Sequence, residues 1–108
     1  MKKRYFDKGV YMNRLKDKVA IVTGSTSGIG KGIAKMFAAE GARVVVCGRR
    51  EERGAAIVNE IQSAGGEAMY HFLDVTKPET VDALLADTEA AWGKVDVMVN
   101  NAAGMALK

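Results

Sequence analysis

Only one cysteine is present, Cys47, so no intrachain disulfide can form. That fits a reducing compartment, and a cytoplasmic location is expected. There is also only one histidine, His71, placed within a strand-like run without a partner motif, and no cluster of residues has metal-ligand spacing. Long apolar runs are missing too: none approaches the ~20 residues a membrane span requires. The basic start Met1-Lys2-Lys3-Arg4 is not followed by the apolar stretch of a secretory signal. The net charge of +3 over 108 residues is too slight to argue for nucleic acid. There is no internal repeat and no low-complexity stretch. These absences exclude a disulfide scaffold and disfavour membrane, nucleic-acid and metal roles.

What is there is the composition of one soluble globular domain, 48% apolar and 27% charged. Residues 1–14 show no period and are expected to form an N-terminal tail. Met12, just before the patterned region, is a plausible start. The alternative for the tail is a basic contact arm. Residues 15–108 form the patterned domain.

From Leu15 onward, strand-like and helix-like segments alternate. Strands are predicted over about Val19–Thr23, Arg43–Cys47, Ala68–Leu73 and Val95–Asn100. Helices are predicted over about Gly28–Glu40 and Glu51–Ala64, with a third opening at Thr76. The expected inner faces are Ile33, Met36, Phe37 and Glu40; then Ile57, Val58 and Ile61; then Val81, Leu84, Leu85, Thr88 and Trp92. Gly41 and Gly65-Gly66 read as helix stops. Thr76 and Glu79 have capping-box spacing, with Pro78 in the first turn. Cys47 is expected to pack as a small hydrophobe. A β-α-β-α-β-α-β order calls for parallel strands joined by right-handed crossovers. The expectation is a three-layer α/β Rossmann-type fold with sheet order 3-2-1-4, one half of a doubly wound sheet.

Ligands of such sheets bind at the carboxyl ends of the strands. Four features gather there. After the first strand comes Thr23-Gly24-Ser25-Thr26-Ser27-Gly28-Ile29-Gly30, where glycines permit a sharp turn and the following helix start offers free N–H groups to an anion. After the second comes Gly48-Arg49-Arg50, after the third Asp74-Val75, and after the fourth Asn100-Asn101-Ala102-Ala103-Gly104. Each alone has a plainer reading: a generic turn, solvated arginines, an acid leading into a helix, a strand-ending asparagine turn. In this order, with the spacing Gly-x-x-x-Gly-x-Gly, the sequence resembles the short-chain dehydrogenase/reductase family over roughly Leu15 to Gly104.

The resemblance implies a nicotinamide dinucleotide cofactor. Gly24 would begin the turn, Gly28 would admit the pyrophosphate, and Gly30 would let the helix pack on the sheet. Ser25, Thr26 and Ser27 would bind phosphate or close the turn, with Ile29 beside them. NAD-selective sheets usually carry an acid at the end of the second strand. Here Gly48 takes that place and Arg49 follows, which favours NADP(H) over NAD(H), because a guanidinium pairs with a 2′-phosphate that a carboxylate would repel. The Asp74-Val75 pair would lie against the adenine, and Asn101 and Ala102 would border a ribose. The family pattern Asn-Asn-Ala-Gly is altered here, with Ala103 in the glycine's place.

The resemblance also implies hydride transfer to or from a carbonyl, alcohol or enoyl substrate, with a Tyr-x-x-x-Lys pair and a serine handling the proton. No such pair occurs among these residues: Tyr5, Tyr11 and Tyr70 are followed four places on by Gly9, Leu15 and Asp74. No catalytic residue is therefore assigned. The alternatives are a non-catalytic nucleotide-binding module and an inactive remnant. A full-length version is expected to form a homo-oligomer. This chain, with a lone helix on one sheet face and its fourth strand at an edge, is expected to be marginally stable, to associate or to aggregate.

Overall fold

A computed structural model describes residues 13–101. Four strands, β1 (Val19–Val22), β2 (Arg43–Gly48), β3 (Glu67–Phe72) and β4 (Val97–Val99), alternate with three helices, α1 (Gly28–Ala39), α2 (Glu51–Ser63) and α3 (Pro78–Trp92). All strand pairs are parallel, in the order β3-β2-β1-β4. This is the Rossmann-type order anticipated above. The tail up to residue 12, and Ala102 to Gly104, lie outside the described residues.

Side chains alternate across the sheet, as a pleated strand requires. Ala20, Val22, Val44, Val46 and Ala68 face α1 and α2, where they meet Ala34, Ala38, Ile57 and Ile61. Ile21, Val45 and Cys47 face the other way and pack with Leu73 and Leu84, with Val81, Leu85 and Trp92 of α3 against them. The central strands β1 and β2 thus bury both faces, which explains their uninterrupted apolar runs.

Three local expectations are corrected. Met36 is not on the inner face of α1: it is half exposed, and Gly30, Ala34 and Ala38 are the buried positions. Small residues there let the helix lie close to the sheet, while Ile33 and Phe37 pack at the margins. Thr76 does not cap α3. Lys77 holds the cap position without a side-chain bond, because both the N–H and the hydroxyl of Thr76 donate to Asp74 Oδ1, at 3.0 and 2.7 Å. A charged acceptor two residues away wins over a helix end. Finally, β4 is only three residues long. Below it, Asp96 takes the Val19 N–H on its side chain. Above it, Asn101 N–H donates to the Thr23 hydroxyl. Side chains thus replace parts of the ladder at both ends.

His71, which has no partner motif in the sequence, makes structural contacts. Its Nε2 lies 2.8 Å from Asp87 Oδ2 on α3, and its Nδ1 lies 2.8 Å from the Phe72 carbonyl. This links β3 to the helix that covers it. Cys47 behaves as anticipated: it is fully buried, and burial pushes its thiol up to about 12.

Candidate functional site

The carboxyl ends of the four strands bring together the segments that the sequence nominated. After β1 the chain makes its glycine turn. Gly24 and Gly28 have φ of +62° and +60°, a region that side-chain-bearing residues rarely enter. Among the described residues nothing lies within 4 Å of a Cβ built on Gly28, so they leave its backbone open to approach. At Gly30 the reverse holds. A Cβ there would overlap the Gly24 carbonyl and sit 2.6 Å from Asn101 Nδ2. Gly30 is therefore what lets α1 start against the turn that precedes it.

The three hydroxyl residues of the turn divide their roles. Ser25 is fully buried and faces inward: its Oγ accepts the Cys47 N–H at 2.9 Å, and its own N–H donates to the Cys47 carbonyl at 3.2 Å. It closes the turn onto β2. Thr26 is half-buried and lies over Gly48, while Ser27 and Ile29 are exposed, Ile29 at 76%. Ser27 is the cap residue of α1 but makes no side-chain cap bond, and the first turn of α1 carries no acid. An uncapped helix start without a nearby carboxylate favours an incoming anion.

Asn101 ties the outer end of the site together. Its N–H donates to the buried Thr23 hydroxyl at 2.7 Å and its Nδ2 to the Gly24 carbonyl at 3.4 Å. The same Thr23 hydroxyl lies 3.2 Å from the Val99 carbonyl and 3.3 Å from Asn100 Oδ1. The asparagine turn after β4 is thereby fixed to the glycine turn after β1.

At the ends of β2 and β3, Arg49 and Arg50 are exposed. Asp74 holds its carboxyl below the ordinary value, first through the two Thr76 bonds and then with the help of the Arg49 and Lys77 charges nearby. Arg49 and Asp74 thus share one edge. Val75 beside them is 38% exposed.

Several positioning residues had no local sequence signal. The Thr80 hydroxyl holds the Asp74 turn, accepting the Asp74 N–H at 3.1 Å and lying 2.8 Å from the Asp74 carbonyl. The Tyr70 hydroxyl donates to the Gly48 carbonyl at 2.5 Å, and its ring packs on Gly54 of α2. Asp96 accepts from Val19 N–H at 2.9 Å and pairs with Lys94 at 3.0 Å, and these bonds hold its carboxyl below its ordinary value. Among the described residues no group of three or more metal-ligating side chains gathers, and no helix is long and apolar enough to cross a membrane.

A family model described as short chain dehydrogenase matches residues 18–108, a stretch that takes in every strand and helix above. The chain belongs to the short-chain dehydrogenase family. It is 48% identical over 94 residues to a 3beta-hydroxysteroid dehydrogenase of Mediterraneibacter gnavus, covering 87% of this chain and 34% of that protein. Among solved structures, a hydroxysteroid dehydrogenase from Escherichia coli superposes with a TM-score of 0.82 at 43% identity, covering 85% of this chain and 39% of that one. A metagenomic short-chain oxidoreductase in complex with NADP gives 0.78 at 43% identity, covering 82% and 40%. The chain therefore spans about a third of the length of the curated relatives it matches.

Proposed function

We propose that these residues form the cofactor-binding part of an NADP(H)-dependent oxidoreductase that acts in the cytoplasm on a carbonyl, alcohol or enoyl substrate. The observation that carries this is the pairing of two anion-accepting features on one sheet edge. The open Gly28 backbone at the uncapped start of α1 suits a pyrophosphate. The exposed Arg49, next to a glycine where an acid would select NAD, suits a 2′-phosphate. The metagenomic relative whose structure holds NADP supports the same reading.

In this reading Gly24 and Gly28 shape the backbone around the pyrophosphate, and the exposed Ser27 adds a hydroxyl donor. Ser25 and Gly30 act indirectly, one closing the turn on β2 and the other admitting α1. Asp74 keeps acceptor capacity for the adenine amine, because Thr76 engages only one carboxylate oxygen, and Val75 lines the same edge. Asn101 fixes the turn and borders the ribose. A nicotinamide cofactor held there would supply hydride chemistry. The groups that would move the proton are not among these 108 residues, so this chain is expected to bind cofactor without turning over substrate.

Titration of the chain with NADPH and NADH tests the proposal. NADPH is expected to bind more tightly, and Arg49→Asp is expected to weaken NADPH at least about tenfold, the loss of one charge-assisted pair. Equal binding of the two nucleotides would remove the role given to Arg49.

A further inference from the structure

Gly48 is a glycine without a backbone reason to be one: its φ lies outside the positive region that glycine alone favours. The reason is a neighbour. A Cβ built on Gly48 would stand 2.8 Å from Thr26 Cγ2 and 3.2 Å from Thr26 Oγ1, with Thr26 Cβ at 3.6 Å. Both branches of the threonine face the glycine. A threonine fills two of the three staggered positions about its χ1 in every rotamer. Rotation therefore always leaves one branch in one of the two positions that crowd residue 48. A serine fills only one position and can turn away.

The backbones cannot move apart to relieve the crowding. The Gly48 carbonyl is held by the Tyr70 hydroxyl at 2.5 Å and the Leu73 N–H at 3.0 Å. On the other side, Ser25 is bonded twice to Cys47, which pins the residue before Thr26. The crowding is locked in from both sides.

We infer that Thr26 is a second determinant of cofactor selectivity, one that excludes any side chain, and hence the NAD-selecting acid, from position 48. This rests on the NADP(H) reading above, with Arg49 attracting the 2′-phosphate. Thr26 acts through position 48 and is a positioning residue. Exchange of Gly48 for an acid then fails to convert the site by itself, and succeeds only with a smaller residue at 26.

A double-mutant cycle tests this on the whole chain, with Trp92 fluorescence following thermal unfolding at fixed concentration. Gly48→Ala is expected to lower the midpoint by roughly 5–10 °C, the penalty of overpacking in a small domain. Thr26→Ser should restore at least half of that loss, and Thr26→Val, which keeps two branches, should restore none. If Gly48→Ala proves too unstable to recover, soluble yield of the single and double variants gives the same comparison. Additive effects, or rescue by valine as complete as by serine, would overturn the inference. Nucleotide titration then reads the consequence. Gly48→Asp with Thr26→Ser should bind NADH at least tenfold more tightly than Gly48→Asp alone, and equal affinities would sink the selectivity role even if the melting cycle shows coupling. Failure of the underlying NADP(H) reading shows up separately, as an unmodified chain that does not distinguish NADPH from NADH.

Discussion

Two glycines one helical half-turn apart show how much a single hydrogen atom in place of a methyl decides. Gly30 stands where a Cβ would run into the Gly24 carbonyl and the Asn101 amide, while Gly32, on the exposed side of α1, has no described residue within 4 Å of such a Cβ. The same substitution should therefore have opposite signs. Gly30→Ala is expected to cost roughly 2–3 kcal/mol, since the helix start must move off the turn. It should also abolish nucleotide binding, because the moved backbone is the one proposed to meet the pyrophosphate. Gly32→Ala should stabilise by about 0.5–1 kcal/mol through helix propensity and a less flexible unfolded chain. Urea denaturation of the two variants checks both signs. A Gly30→Ala protein as stable as the parent would mean that α1 does not abut the turn as described.

At the scale of elements, β4 illustrates a strand held as much by side chains as by its ladder. Asp96 takes the Val19 N–H, and its carboxyl is depressed first by that bond and then by Lys94. A carboxyl lowered in the folded state contributes stability above its unfolded value, and that contribution is lost as pH falls through the folded value. Starting from the ordinary value of 3.8, the loss begins near that pH and completes below it. Asp96→Asn should accordingly be less stable than the parent at neutral pH, with the difference shrinking as pH falls below about 4. Thermal midpoints of both proteins from pH 3 to pH 7 measure it, and a difference that stays constant across that range would rule out the carboxylate as its source. The order of these elements is legible in the sequence because apolar runs and glycine stops are local and crossovers are right-handed. Asp96, Tyr70 and Thr80 carry no local signal for their contacts, while the local pattern points Met36 inward and Thr76 to a cap. Asp96 meets Val19 across 77 positions, and Ser25 meets Cys47 across 22. No window of sequence contains both halves of such a bond. The Thr76 spacing was genuine, but Asp74 offered the same hydroxyl a charged acceptor.

For the whole molecule the governing fact is asymmetry. Among the described residues two helices cover one sheet face and α3 alone packs on the other, and β4 stands at an edge of the sheet. Met98, pointing away from the α1–α2 side on that edge strand, is 45% exposed. Val97 and Val99 flank it and are only partly buried. An edge strand with unpaired backbone groups and apolar side chains is a template for a further strand. Expressed as 108 residues, the chain should therefore associate through this edge. Sedimentation and light scattering should show mass rising with concentration over the micromolar range. Met98→Lys, which puts a charge on the edge without touching the α1–α2 core, should shift the profile towards monomer. The cofactor site need not suffer, because β1 and β2, which carry the glycine turn and Arg49, are the most deeply buried strands. Nucleotide affinity unchanged by Met98→Lys, together with reduced association, is the expected pair of results. A parent chain that stays monomeric and melts at a concentration-independent temperature would show instead that the β4 edge is not the liability its position suggests.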